Sequence, residues 1–146
     1  MTGLATGRVR PIGGPEVGAT ATVDLIVRDS DCANALRLSD DPRDDFPPVF
    51  ATTRMIALME LAGARLLHPL LQPGEMSVGA HVDVSHTAAT PIGAQVTATA
   101  TYRGREGKLF LFDVIAHDPA GEIGRGIHKR AIVSRDRLLA GAQKRR

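Results

Sequence analysis

One long apolar helix followed only by strand-forming segments is the feature that most restricts how this chain can fold. From Met55 to Leu67 the sequence carries apolar residues at helical spacing, Thr52 or Thr53 is a natural N-cap, and Pro69 and then Pro73-Gly74 end the run after about His68. The apolar face is wide enough to predict near-complete burial. Downstream, Ser77 to His86 alternates so that Val78, Ala80, Val82, Val84 and His86 share one face of a strand. Thr90-Pro91-Ile-Gly93 then turns the chain into a Thr-rich strand from Gln95 to Tyr102. Gly104-Arg-Glu-Gly107 forms a hairpin loop, Lys108 to Ala116 a more apolar strand, Asp118-Pro-Ala-Gly121 a turn, and Glu122 to Ser134 the last strand. The expected architecture is α+β, an antiparallel sheet with one helix laid across it. A small sheet wrapped on one helix can complete its core against a second copy, so a homodimer is expected.

Upstream of the helix, Thr22 to Arg28 reads as a first strand, and the Asp- and Pro-rich stretch Asp40 to Pro48 as a loop feeding the helix. Residues 1–18, rich in Gly, Pro and Arg, read as a flexible leader, residues 19–139 as one folded domain, and residues 140–146 as a basic tail after a short fraying helix that begins near Arg135. A length of 146 residues, 43% hydrophobic, fits one core and little more.

Composition excludes several classes. Net charge is +2 and aromatics make up 3% with no Trp, so neither a broad basic face nor a base-stacking platform for nucleic acid is expected. Cys32 is the one cysteine, which rules out an intramolecular disulfide and a multi-cysteine zinc site and favours a cytoplasmic setting. No apolar run approaches the length of a membrane span, and no signal-like segment opens the chain, so a soluble protein without membrane contact is expected. Gly-x-Ser-x-Gly, a phosphate-cradling Gly-x-x-x-x-Gly-Lys and His-Glu-x-x-His are all absent, and Gly124-Arg-Gly126 reads as a strand whose small residues admit a close neighbour.

Glu60 stands out against this background. Arg54, Arg65 and His68 gather on one side of the helix, whereas Glu60 lies roughly 120° from Arg54 and among Ile56, Ala57, Gly63 and Ala64. A carboxylate there is either paired, hydrogen-bonded or protonated in the manner catalytic carboxylates exploit, or it is a flank residue reaching water past small neighbours. Thr52 at the helix entrance and His86 at the end of the strand face also stand out. Taken singly, Thr52 is explained by helix capping and His86 by a backbone hydrogen bond; only the combination points to chemistry.

The segments Val49-Phe-Ala-Thr52-Thr-Arg-Met-Ile-Ala-Leu-Met-Glu60, Ser77-Val-Gly79, His86-Thr-Ala-Ala-Thr-Pro91 and Ile123-Gly-Arg-Gly-Ile-His128-Lys-Arg130 resemble the fluoroacetyl-CoA thioesterase family of hotdog-fold proteins, over about Gly18 to Leu139. The resemblance implies a hotdog fold, active sites at a homodimer interface, and hydrolysis of a small acyl-CoA or related thioester. Pairing of dimers into tetramers is left open by the sequence. It implies catalytic roles for Thr52, Glu60 and His86, with Glu60 activating, orienting or attacking, and His86 moving protons. Thr52 is then either a nucleophile or a positioning group. Gly79 matches a glycine that lets a backbone N–H approach an oxyanion, and Phe46 matches a phenylalanine that lines or gates the acyl pocket. No cofactor or metal is implied beyond the CoA of the substrate. Thr53 and Arg54 depart from the family pattern, and Arg54 is either an anion contact at the site entrance or part of an exposed helix face. His128 and Arg130 match a recurring stretch and have either a strand-face or a catalytic role. The competing class is a non-catalytic acyl-CoA or small-ligand module in which the triad is idle; a hotdog dehydratase or isomerase is a third.

Overall fold

The computed structural model describes residues 14–146, so most of the expected leader lies outside it. Five strands form one antiparallel sheet: β1 (Thr20–Ile26), β2 (Glu75–His86), β3 (Gln95–Glu106), β4 (Leu109–Asp118) and β5 (Gly121–Ser134), in the order β1-β3-β4-β5-β2. Helix α1 (Thr52–Leu67) lies across one face, and α2 (Arg135–Gln143) follows β5 directly. This is the α+β architecture that the helix-then-strands pattern predicts. Strand β1 starts and ends two residues before its expected bounds, and β3 runs on through Glu106, because a tight Gly107-Lys108 turn, with φ of 62° at Gly107, closes the hairpin.

The core lies between α1 and the concave face of the sheet. Met55, Met59, Ala62 and Leu67 of the helix pack with Val96, Ala98, Ala100 and Tyr102 of β3, Phe112 and Val114 of β4, and Ile123 of β5. Each large side chain so buried contributes about 1.5–3 kcal/mol. The glycines of β5 let the layers meet. A Cβ at Gly124 would lie 2.7 Å from the Met55 sulfur, and one at Gly126 would lie 2.0 Å from the Asp83 carbonyl oxygen.

Burial of α1 is less complete than its wide apolar face predicts. Ala57 and Leu61 remain exposed, Leu61 at 38%, because the five-stranded sheet covers only one side of the helix.

Strand β2 is the second departure. Its pairing with β5 shifts between Gly79 and His81, so Ala80 is an extra residue with no opposite number. The expected single face of Val78, Ala80, Val82, Val84 and His86 is therefore broken. Before the bulge, Ser77 and Gly79 pair with Ile132 and Arg130; after it, Val82, Val84 and His86 pair with His128, Gly126 and Gly124 on that same inner face. β2 is also an edge of the sheet, with Gly79, Ala80, His81, Val82 and Asp83 all exposed.

Candidate functional site

Thr52 is the first residue of α1, and the cap position belongs to Ala51, which has no side chain able to cap. The Thr52 hydroxyl turns instead to His86: Thr52 Oγ1 lies 2.8 Å from His86 Nδ1. The expectation of a capping Thr52 is thereby corrected, because the last residue of β2 outcompetes the helix for the hydroxyl. Two neighbouring stretches fix the approach. The Phe50 N–H donates to the Thr90 carbonyl, and the Ala51 N–H to the Asp31 carbonyl. Thr90, fully buried, donates its hydroxyl to Asp118 Oδ2 at 2.8 Å, and the Thr87 N–H donates to the Ile123 carbonyl. Thr52 and His86 thus sit on backbone held from both sides.

If Thr52 donates to Nδ1, the neutral imidazole carries its proton on Nε2. That nitrogen is buried and has no hydrogen-bond partner among the described residues. Beside the pair is a cleft of about 370 Å³ lined by small and apolar groups, including Ala33, Pro47, Val49 and Ala88. Phe46, 51% exposed, lines a neighbouring cavity of about 480 Å³ under the acidic loop from Leu36 to Asp45, and does not line the cleft at Thr52 and His86.

Glu60 lies elsewhere. It is two turns further along α1, about 12 Å of helix rise from Thr52, and it is half-buried. Its carboxylate lies over Gly79: a Cβ at Gly79 would be 3.0 Å from Glu60 Oε2 and 3.3 Å from His128 Cε1. Space for the carboxylate is thus one reason for glycine here. Beneath are two inward side chains of β5, His128 at 1% exposure and Arg130 at 7%. Arg130 donates Nε to Ser77 Oγ at 3.0 Å and Nη2 to the Ser77 carbonyl at 3.0 Å, and its Nη1 lies 3.1 Å from His128 Nε2. A guanidinium can only donate, so His128 Nε2 accepts and its Nδ1–H donates to the His81 carbonyl at 2.9 Å. Burial pushes the His128 imidazole below its ordinary 6.5, and the His81 carbonyl and Glu60 carboxylate offset part of this. Burial also lowers Arg130, opposed by the charge of Glu60. His128 and Arg130 therefore have an inward role beneath Glu60, which strand alternation could not assign from sequence.

The structure brings together Thr52 with His86, and Glu60 with Gly79, but within one protomer these are two groups. Gly79 and His86 are seven residues apart on β2, on the order of 20 Å.

One participant was not visible in the sequence. Asp31, fully buried, accepts hydrogen bonds from Arg28 and from Arg54, joining the loop after β1 to the first turn of α1. Arg54 thus has a partner within the chain, across 23 positions of sequence.

Comparison with known proteins fits this geometry. A family model described as fluoroacetyl-CoA-specific thioesterase matches residues 27–136. The fluoroacetyl-CoA thioesterase of Streptantibioticus cattleyicolor is 42% identical over 127 residues, covering 87% of this chain and 91% of that protein. A crystal structure of the fluoroacetyl-CoA thioesterase FlK superposes with a TM-score of 0.85 at 40% identity, covering 91% of this chain and 98% of that one. A thioesterase superfamily member from Thermus thermophilus gives a TM-score of 0.79 at 28% identity, covering 93% and 94%. The five-stranded sheet and its helix are those of a hotdog thioesterase, and the chain belongs to the fluoroacetyl-CoA-specific thioesterase family.

Proposed function

We propose that the protein hydrolyses a small acyl-CoA thioester at a site completed by a second copy of the chain. The observation behind this reading is the 2.8 Å contact between Thr52 Oγ1 and His86 Nδ1, with His86 Nε2 buried and unpartnered among the described residues. A carboxylate opposite Nε2 would hold the imidazole in the tautomer that accepts from Thr52, the arrangement of a hydroxyl–imidazole–carboxylate relay. The protomer's own Glu60 is too far along the helix to serve. The exposed β2 edge supplies a route: antiparallel pairing of two β2 strands about an axis near Val82 and Asp83 sets Gly79 of one copy beside His86 of the other. Glu60 would then approach Nε2 across the interface. Val82 on that edge, 39% exposed, gives it apolar surface to bury.

In this scheme His86 Nδ1 takes the proton from the attacking oxygen, either the Thr52 hydroxyl or a water that it holds, and returns it to the departing CoA thiolate. The net change adds water across the C–S bond, giving a free acid and CoA thiol. Glu60 orients the imidazole and stabilises its charged form, and the Gly79 backbone N–H faces the developing oxyanion. A cytoplasmic setting belongs to the same reading, supported by an unpaired, buried Cys32. So does a requirement for no cofactor, since the relay supplies both proton transfers. CoA thioesters enter the reading from a FlK mutant solved in complex with acetyl-CoA, and the cleft beside Thr52 is where the acyl group would lie.

Thiol release from acyl-CoAs of increasing length, by wild type, Glu60→Ala and His86→Ala, tests the chemistry. Rapid release that collapses in both variants is the expected result. Absence of turnover on every substrate despite measurable binding would instead establish a non-catalytic binding module. Mixing the two inactive variants tests the shared site: re-assorted dimers regain one intact site in each heterodimer, about a quarter of wild-type activity, whereas a site within one chain leaves the mixture dead.

A further inference from the structure

The segment 28–33 meets the start of α1 through more contacts than a loop needs to close. Asp31 Oδ2 accepts from the Arg28 N–H at 2.9 Å and Arg28 Nε at 3.0 Å, and Oδ1 from Arg28 Nη2 at 3.2 Å, Arg54 Nε at 3.0 Å and Arg54 Nη2 at 2.6 Å. The Asp31 carbonyl accepts from the Ala51 N–H at 2.9 Å, and Val49 and Phe50 pair with Ala33 and Cys32. Arg28, and with it Arg54, hold the Asp31 carboxyl far below the usual carboxylate range. Two cations on one buried carboxylate is an expensive way to gain stability, since apolar packing of similar volume is often as good or better. Such a cluster does, however, fix direction and distance.

The first turn of α1 has reason to need fixing. Its cap residue, Ala51, offers no side chain, and Thr52 has given its hydroxyl to His86. A helix start in that condition frays. Thr52 must nevertheless keep its oxygen in place, because a misplacement of about 1 Å in a reacting group costs up to about a hundredfold in rate.

We infer that Asp31 and Arg54 are a positioning pair for Thr52, replacing the missing helix cap and holding Thr52 Oγ1 on His86 Nδ1. Arg54 lies two residues beyond Thr52, and the Asp31 carbonyl holds the residue just before it, so the clamp grips Thr52 from both chain directions. The inference rests on the thioesterase reading for its kinetic consequence and on geometry alone for its structural one.

The test uses Arg54 variants, because Arg54 is partly exposed and its loss leaves Asp31 still bonded to Arg28. Arg54→Ala is expected to lower kcat for thiol release about tenfold with KM unchanged, while Arg54→Lys, which keeps one charge-assisted bond to Asp31, recovers most of the loss. In a Thr52→Ala background the Arg54→Ala change should cost less than about twofold, since its target is gone. Arg103→Ala, which breaks an exposed ion pair with Asp113 on the outer face, serves as the control with no effect on kcat. The His86 ring nitrogen and proton resonances in ¹⁵N-labelled protein give a readout free of turnover. Arg54→Ala should move Nδ1 away from its hydrogen-bonded shift. Unchanged His86 resonances, or an equal loss of kcat with and without Thr52, would overturn the pairing. Wild type that releases no thiol would refute only the thioesterase reading, and the His86 resonances would then decide the inference by themselves.

Discussion

The two ends of α1 treat charge in opposite ways. At the N-terminal end Thr52 is exposed and bonded to a half-buried histidine, beside a cleft open to solvent. Two turns on, Glu60 rests above His128 and Arg130, only 1% and 7% exposed and hydrogen-bonded to Ser77, His81 and each other. One end offers reactive atoms with little structure invested in them; the other buries charged and polar side chains beneath a carboxylate. Reaction and support are thus divided between the two ends of one helix.

The largest effect should come from the reactive end. His86→Ala is expected to reduce turnover by about 10³-fold while leaving the melting temperature within a few degrees of wild type, as paired kinetic and calorimetric measurements would show. A large loss of stability would erase the distinction between the ends. Arg130→Met should behave in the reverse order, destabilising by about 2–4 kcal/mol in urea titration because the Ser77 carbonyl and His128 Nε2 lose their donor inside the protein. By contrast Thr52→Ala should cost no more than about 1 kcal/mol in the same measurement, its hydroxyl being at the surface.

A smaller effect is expected at Gly79. Alanine there meets Glu60 Oε2 at 3.0 Å, the movable tip of a flexible side chain, so the fold should persist while the carboxylate shifts and kcat falls about tenfold. Unaltered kcat would show that the position of Glu60 over Gly79 is immaterial. The mildest expectation concerns acid. Because burial lowers the His128 pKa, the unfolded chain takes up a proton below about 6.5 that the folded chain refuses until lower pH. Stability contributed by neutral His128 is therefore complete above 6.5 and is lost as pH falls below that value through the lower pKa of the folded state. The melting temperature should drop between pH 7 and 5 in wild type, and less steeply in His128→Gln.

Much of this was legible in the sequence because it follows from periodicity. Helical spacing from Met55 to Leu67 and Gly-marked turns near Gly93, Gly107 and Gly121 placed α1 and the strands to within a few residues, and the apolar setting of Glu60 singled it out. What was hidden depends on pairing between distant segments. Thr52 has the side chain of a cap, and only the arrival of His86, 34 residues later, explains why it does not cap. Asp31 looked like any loop aspartate because Arg54 is 23 positions away. His128 and Arg130 alternate as any strand pair does, and their inward direction beneath Glu60 became visible only with the register of β2 against β5.

The unpaired residue at Ala80 bears on how such a protein can change over generations. Substitutions along β2 alter one side chain at a time, but gain or loss of a single codon between Gly79 and His86 would exchange inside for outside along one arm of the strand. Sequence drift along β2 can therefore be gradual, whereas length in this short stretch should be held constant in any descendant that keeps Gly79 and His86 on the same inner face.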